Sequence, residues 1–370
     1  MPHRTPRLES LVETWSQEER VVPVGLGVGA LGDQGLRIPR GGITVVAGAS
    51  GEGKTSALLN MVFGLLRHPS AMRDGAIHFV TYEEGEAEIA LKLILLAADV
   101  VLDPVDNIGA ARRVLTDPPE TPTDDEQRLL DAGAWYDDFV REGRLEILGR
   151  QVPADALASE VNELHELGLE HLRLGTSRPA PREEAEGTEV VKHRPLGALF
   201  VDYIQRVEPP ESTRNEMRYL QVAAISRELL EIAVERRVPV VVGAQLNRGG
   251  RQQNNTWPPT LESIRESANI GQDAAMVLAL RQLRDRESQD VTPVEVHIVK
   301  ARDARAGAEF KLSFRGATRR LHDAGVTDAS RTPWKAPREV QGVQTFDALK
   351  DKRDTLRFQV DWDRALKGLA

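Results

Sequence analysis

The chain has 370 residues, a formal net charge of −9, 41% hydrophobic and 28% charged residues, and no cysteine. No apolar run approaches the roughly 20 residues that cross a bilayer, which argues against a membrane-embedded chain. The lack of cysteine rules out disulfides, thiolate metal sites and a cysteine nucleophile, and the acidic balance rules out a uniformly basic nucleic-acid coat while leaving room for a local basic track. This length suits one large α/β domain with extensions.

Residues 1–40 read as an N-terminal arm. The apolar stripe Leu8, Leu11, Val12 and Trp15 has helical spacing and must bury against its own domain or a neighbouring subunit. A Gly-rich stretch, 24–32, follows it. The opening residues 1–7 carry charge and lead into this amphipathic segment instead of an uncharged signal core, so a cytoplasmic protein is expected.

From residue 42 the pattern alternates. Strand 42–48 leads into helix 54–67, strand 77–81 into helix 86–98, strand 145–148 into helix 154–167, and strand 198–201 into helix 215–237, with strand 238–242 after it. Continuous Val/Ile/Leu runs joined by amphipathic helices predict an α/β fold whose mostly parallel central sheet is flanked by helices. Segments 275–280, 294–299 and 309–314 have short connections and read as strands finishing the sheet, with a hairpin among them. Residues 174–195 are charged, rich in Pro and Gly and poor in large apolars, which predicts a mobile insertion. Residues 321–370 read as a C-terminal tail that either orders against a partner subunit or stays disordered.

Between the first strand and helix, Gly48, Ala49, Ser50, Gly51, Glu52, Gly53, Lys54 and Thr55 spell a complete GxxxxGK[ST] phosphate loop. The glycines let successive backbone N–H groups turn toward phosphate oxygens, and the helix opening near Lys54 and Ser56 adds its positive dipole end. Lys54 is placed against the β and γ phosphates of ATP, and the Thr55 hydroxyl beside Mg²⁺. The strand ending at Asp202 supplies the second Mg²⁺-side group. In-line attack on the γ-phosphate needs a base or orienter for water, and Glu83, at the end of the strand preceding helix 86–98, is the choice for it, whereas Glu84 and Glu86 fit better as solvated acids opening that helix. Gln245, at another strand end, is placed to contact the γ-phosphate or its water, although an ordinary loop amide would look the same.

Several segments together resemble the ATPase domain of the DnaB-type replicative helicases, a branch of the RecA-like motors: residues 80–84, 200–205, 245–248, 264–274 and 299–303. The similarity runs in unbroken motif order over roughly residues 25–320. The resemblance implies a RecA-like P-loop NTPase core over residues 41–320, and a homo-oligomer, usually a hexameric ring, with ATP at each subunit boundary and single-stranded DNA in the central channel. It also implies that Lys300 and Arg302 reach the γ-phosphate held by the adjacent subunit, and that Arg265, Glu266 and the backbone near Ala268 track DNA phosphates. Arg248 and Arg251 lie in a polar loop suited to backbone contact or merely solvated.

Two features depart from the family pattern. Only about 40 residues precede the phosphate loop, so the family's N-terminal helical domain is not expected, and Ala268 stands where members usually have Gly. A stand-alone motor of this kind suits plasmid, phage or other mobile-element replication, or defence, acting with loader or replication proteins and away from membranes. The leading expectation is therefore an ATP-dependent DNA helicase. A recombinase-like ATPase that forms filaments, and an ATP-switched DNA-binding scaffold, are the competing readings.

Overall fold

The computed structural model describes residues 21–23, 37–67, 75–149, 153–174, 193–246, 258–264, 268–283, 291–302 and 306–323. The N-terminal amphipathic segment, the Gly-rich stretch at 24–32, nearly all of the 174–195 insertion and residues 324–370 fall outside them.

A short strand β1 (Val21–Pro23) pairs antiparallel with β2 (Arg37–Pro39). Then comes the alternating core: β3 (Gly42–Gly48), α1 (Lys54–Leu66), β4 (Ala76–Thr81), α2 (Glu86–Ala98), α3 (Asn107–Thr116), α4 (Asp124–Arg141), β5 (Leu145–Leu148), α5 (Ala154–Leu174), β6 (Leu196–Asp202), α6 (Arg218–Arg236) and β7 (Pro239–Gln245). A six-residue helix α7 (Ala268–Asp273) precedes β8 (Met276–Gln282), β9 (Val291–Ala301), β10 (Glu309–Arg315) and β11 (Arg320–Asp323).

Among the described residues, nine strands form one sheet in the order β11-β10-β9-β8-β3-β7-β6-β4-β5. The six from β8 to β5 run parallel, and β9, β10 and β11 continue the β8 edge antiparallel. The predicted α/β class with a mostly parallel sheet is the one observed. β3, β4, β6 and the first six residues of β7 are buried throughout, as strands covered on both faces must be. Alternation then sorts their side chains. Val46, Phe79, Phe200 and Val241 meet α1, α2 and α4 on one face, while Val45, Val80, Val201 and Val242 meet α5 and α6 on the other.

Three differences from the sequence reading have local causes. Helix α5 runs on to Leu174, past the predicted end at 167. Gly168 does not stop it: a Cβ there would lie 2.1 Å from the Arg194 carbonyl carbon, so the glycine lets the lead-in to β6 cross against the helix. Helices α3 and α4 have no counterpart in the sequence reading, although α4 opens on a capping box in which the Thr123 hydroxyl accepts from the Glu126 N–H and Glu126 accepts from the Thr123 N–H. Finally, β11 carries the sheet beyond the expected boundary at 320, because it returns as a hairpin on β10.

The β10–β11 hairpin is tied to the helical layer by charge. Arg315 and Arg320, each 5% exposed, lie 3.5 and 3.6 Å from opposite oxygens of Asp99, which ends α2 at φ 51°, and His322 lies 3.6 Å from the same carboxylate. Burial alone would raise the Asp99 carboxyl, but His322, Arg320 and Arg315 outweigh it and hold it well below the usual carboxylate range. Because the folded value is depressed, this stabilisation is present above the unfolded carboxylate pKa and is lost only as pH falls through the folded one. Asn tolerates the left-handed backbone but removes the charge, leaving two buried guanidinium groups uncompensated. Asp99→Asn is expected to cost about 3 kcal/mol in urea unfolding at pH 7. Arg112→Ala, which breaks the exposed pair with Glu88, should cost under about 0.5 kcal/mol.

Candidate nucleotide-binding site

β3 points its last residue, Gly48, into the phosphate loop at the carboxyl edge of the sheet, where open α/β folds bind ligands. Gly51 and Gly53 take φ values of 79° and 85°, a region that side chains rarely adopt, and Gly53 caps α1 from the left-handed conformation. Inside the loop the Glu52 N–H donates to the Ala49 carbonyl at 3.3 Å, and the buried Glu52 carboxylate accepts from the Gln282 N–H at the end of β8. The loop is thus fastened to the neighbouring strand as well as to its own.

Lys54 and Thr55 open α1. The Lys54 ammonium donates to the Ala49 carbonyl at 3.0 Å and lies 5.8 Å from the centroid of the Tyr203 ring. Burial lowers its pKa, against the upward pull of Asp202, Glu83 and Glu52. The Thr55 hydroxyl donates to Asp202 Oδ2 at 2.7 Å, closing the gap between the first turn of α1 and the end of β6.

Asp202 is 1% exposed, and its other oxygen, Oδ1, is buried with no hydrogen-bond partner among the described residues. A hard, oxygen-seeking cation fits such a set: one hydroxyl, one carboxylate with a spare oxygen, and phosphate oxygens completing the shell. Thr55 and Asp202 would hold Mg²⁺ there.

Facing this pair, the turn after β4 is locked by the Thr81 hydroxyl, which donates to the Glu84 carbonyl at 2.9 Å and accepts from the Glu84 N–H at 3.2 Å. Glu84 is paired with Lys92, while Glu83 stands exposed on the rim, acting electrostatically on both Lys54 and Asp202. Lys54, Thr55, Glu83, Glu84 and Lys92 line a cleft of about 360 Å³ together with Ser50, Ser56, Tyr203, Gln245 and Gln282.

Gln245 is held at the cleft by a residue that the sequence reading assigned no role. The buried Gln205 side chain accepts from the Gln245 N–H at 3.0 Å and donates to its carbonyl at 3.3 Å. Arg218 in turn donates to the Gln205 carbonyl at 2.8 Å. Gln205 lies inside the 200–205 motif, but a residue that grips the main chain of another strand leaves no separate trace in sequence.

Lys300 and Arg302 lie elsewhere. The register pairs Lys300 with Val277 and Ala301 with Met276, while Met276 pairs with Thr44 of β3. They therefore sit at the opening edge of the parallel strands, four residues below Gly48, or roughly 13 Å from the phosphate loop. There Lys300 donates to the carbonyls of Gly271 and Gln272 at 2.7 and 2.8 Å, and Arg302 to those of Gln272 and Asp273 at 3.4 and 3.2 Å. Partial burial and the adjacent Arg302 lower the Lys300 pKa. Of the proposed DNA-facing group, Arg248, Arg251, Arg265 and Glu266 fall outside the described residues, and Ala268 is described only as the first residue of α7.

Burial raises the Asp202 carboxyl to about 6, with the Thr55 hydrogen bond and Lys54 pulling down and Glu83 pushing up. The folded state therefore holds this proton more tightly than the unfolded chain. Ionised Asp202 costs stability, with no cost below the ordinary carboxylate pKa and the full cost above about pH 6. Asp202→Asn should raise the melting temperature of the nucleotide-free, magnesium-free protein at pH 8, and the gain should fade as the pH is lowered toward about 4. Differential scanning fluorimetry across that range checks it.

Residues 182–323 match the model of the DnaB-like helicase C terminal domain. Over 252 residues the chain is 27% identical to the replicative DNA helicase DnaB of Mycoplasma pneumoniae, an alignment covering 68% of this chain and 44% of the relative. The replicative DNA helicase DnaC of Bacillus subtilis is 35% identical over 140 residues, 35% of this chain and 30% of its own. A probable plasmid replicative DNA helicase of Chlamydia psittaci is 33% identical over 130 residues, 35% and 27% of the two chains. The chain spans less than half the length of these relatives. Among solved structures, one described as an ATPase domain superposes with a TM-score of 0.61 at 22% identity, covering 85% of this chain and 96% of that one. A DnaB-like replicative helicase described with its interactions with primase gives 0.59 at 21% identity, covering 86% and 68%. The shared fold and the sequence matches make the chain similar to the DnaB-like replicative helicases, over the part of them that corresponds to the model of their C terminal domain.

Proposed function

We propose that this chain is an ATP-dependent motor that moves along single-stranded DNA as a ring of identical subunits and separates duplexes. The carrying observation is the phosphate loop closed onto Asp202 by the Thr55 hydroxyl at 2.7 Å, with Glu83 across the cleft. In this reading Lys54 and the loop amides bind the β and γ phosphates, and Thr55 and Asp202 hold Mg²⁺. A metal held there would supply Lewis-acid charge neutralisation to the phosphates in the transition state. Glu83 orients and deprotonates the attacking water from the rim. Gln245, gripped by Gln205, contacts the γ-phosphate side of the cleft.

The place of Lys300 and Arg302 supports a shared site. At the opposite edge of the sheet they cannot reach the phosphates bound by their own chain, so a role on the γ-phosphate requires a second copy. A guanidinium supplied across a boundary stabilises the transition state and ties hydrolysis to the interface. Both cations also bind the last carbonyls of α7, the helix that follows Arg265 and Glu266. Exchange of these cations between α7 and a neighbour's phosphate would carry the hydrolytic state toward the DNA-facing residues Arg248, Arg251, Arg265, Glu266 and Ala268. The relatives' names as replicative helicases, one of them plasmid-borne, favour replication of a plasmid, phage or other mobile element. A cytoplasmic setting with loader or replication proteins as partners follows from the same reading. Among the described residues no helix is long and apolar enough to cross a membrane.

Steady-state ATP hydrolysis with and without single-stranded DNA tests the reading. The parent should be stimulated severalfold, and Glu83→Gln should lose at least about 100-fold in turnover while still binding ATP. Hydrolysis that DNA leaves unchanged would favour the scaffold alternative. Gln205→Ala should lower turnover nearly as much as Gln245→Ala does, because it frees the main chain that aims Gln245.

A further inference from the structure

Two carboxylates, Glu83 and Glu84, follow one another at the turn after β4, and the cations near them divide between the two. Lys92, from α2, is paired with Glu84. Glu83 faces Lys54 inside the cleft, and it also acts electrostatically on Arg206. Arg206 ends the 3₁₀ turn Ile204–Arg206 that follows β6, and the chemistry above gives it no task. Although exposed, it is moored at two points: its Nε donates to the Tyr203 hydroxyl at 3.1 Å, and its N–H to the Tyr203 carbonyl at 2.9 Å. Tyr203 is 9% exposed, lines the cleft, and has its ring centroid 5.8 Å from the Lys54 ammonium. A guanidinium is thus fastened to a buried ring of the site through Nε, and its terminal nitrogens remain donors that a carboxylate can receive.

Charge decides what such a group does once ATP is present. The phosphates engage Lys54 and bring negative charge to the inner side of Glu83, so the inward pull on this carboxylate is cancelled and it is driven toward Arg206. A base drawn there is turned away from the water that it must deprotonate. Because both groups are exposed, the hold is weak and reversible.

Its release lies within reach of the segments assigned to DNA. Gln205, the neighbour of Arg206, grips the Gln245 main chain, and Leu246 forms an antiparallel bridge with Ile264. Arg248 lies two residues beyond Leu246, and Arg265 follows Ile264 directly. Both proposed DNA-facing segments therefore start from one bridge, and a shift of that bridge passes through Gln205 to Arg206.

We infer that Arg206, moored to Tyr203, is a positioning residue that holds Glu83 back from the γ-phosphate while ATP is bound without DNA, and frees it when DNA moves the Leu246–Ile264 bridge. The inference rests on the roles given to Glu83 and to the DNA-facing residues under the proposed function, and adds to them a restraint on idle hydrolysis.

The test is ATP hydrolysis by the full chain with and without a single-stranded oligonucleotide. Arg206→Gln should raise DNA-free turnover by up to about fivefold, the worth of an exposed charge pair, and leave both the DNA-stimulated turnover and the KM for ATP at the parent's values. Tyr203→Phe, which removes the mooring hydroxyl and keeps the ring, should shift DNA-free turnover the same way, and Arg206→Lys, which keeps the charge without the fork, should fall between parent and Arg206→Gln. Since Arg206 acts through Glu83, the double variant Glu83→Gln/Arg206→Gln should be no faster than Glu83→Gln alone. DNA-free turnover unchanged or lowered in Arg206→Gln, with Glu83→Gln inactive, would overturn the inference and leave the hydrolytic site standing. A gain that persists in the Glu83→Gln background would also overturn it, as would a fall in melting temperature with loss of both rates, which marks a merely structural arginine. If Glu83→Gln hydrolysed ATP like the parent, or DNA left the parent's rate unchanged, the proposed function would fail and this inference with it.

Discussion

The hydrogen bond from the Thr55 hydroxyl to the Asp202 carboxylate joins residues 147 positions apart and fixes where the first turn of α1 stands relative to the carboxyl edge of the sheet. It forms because β3 and β6 are separated only by β7, so a loop leaving β3 can close over the end of β6. The cost is a carboxyl buried in the core, its pKa pushed up to about 6, with one oxygen unmatched among the described residues. A cation beside phosphates would relieve that cost, and the rest of the cleft is arranged around the same point. Glu52 ties the loop to β8, Gln205 aims Gln245, and Thr81 sets the turn that carries Glu83.

The two edges of the sheet divide the chemistry. The carboxyl edge gathers what one chain can bring to a nucleotide. The opening edge carries Lys300 and Arg302, both already hydrogen-bonded to the end of α7. The distance between them, set by four residues of strand register, means that the proposed mechanism needs a second copy.

Much of this was legible in the sequence. Continuous apolar runs predicted β3, β4, β6 and β7 because strands buried on both faces tolerate few polar positions, and the phosphate loop reads directly because its glycines must adopt positive φ. Asp202 and Glu83 stand out because each ends such a run. The missing parts share a physical cause. Gln205 acts on main chain, Arg206 is moored by the Tyr203 hydroxyl, and Gly168 serves a helix crossing. None of these leaves a periodic or spaced pattern. Helix α4 is different, since its Thr123 and Glu126 capping box was visible and simply fell between stronger signals.

The central claim is that neighbouring copies complete each hydrolytic site, and subunit mixing addresses it most directly. Arg302→Ala keeps an intact phosphate loop but lacks the transferred cation, whereas Lys54→Ala lacks the loop lysine but can donate its own Arg302. Mixed in equal amounts with single-stranded DNA present, the two are predicted to hydrolyse ATP well above the sum of either alone. A mixture no more active than that sum, or an Arg302→Ala protein as active as the parent by itself, would contradict the account.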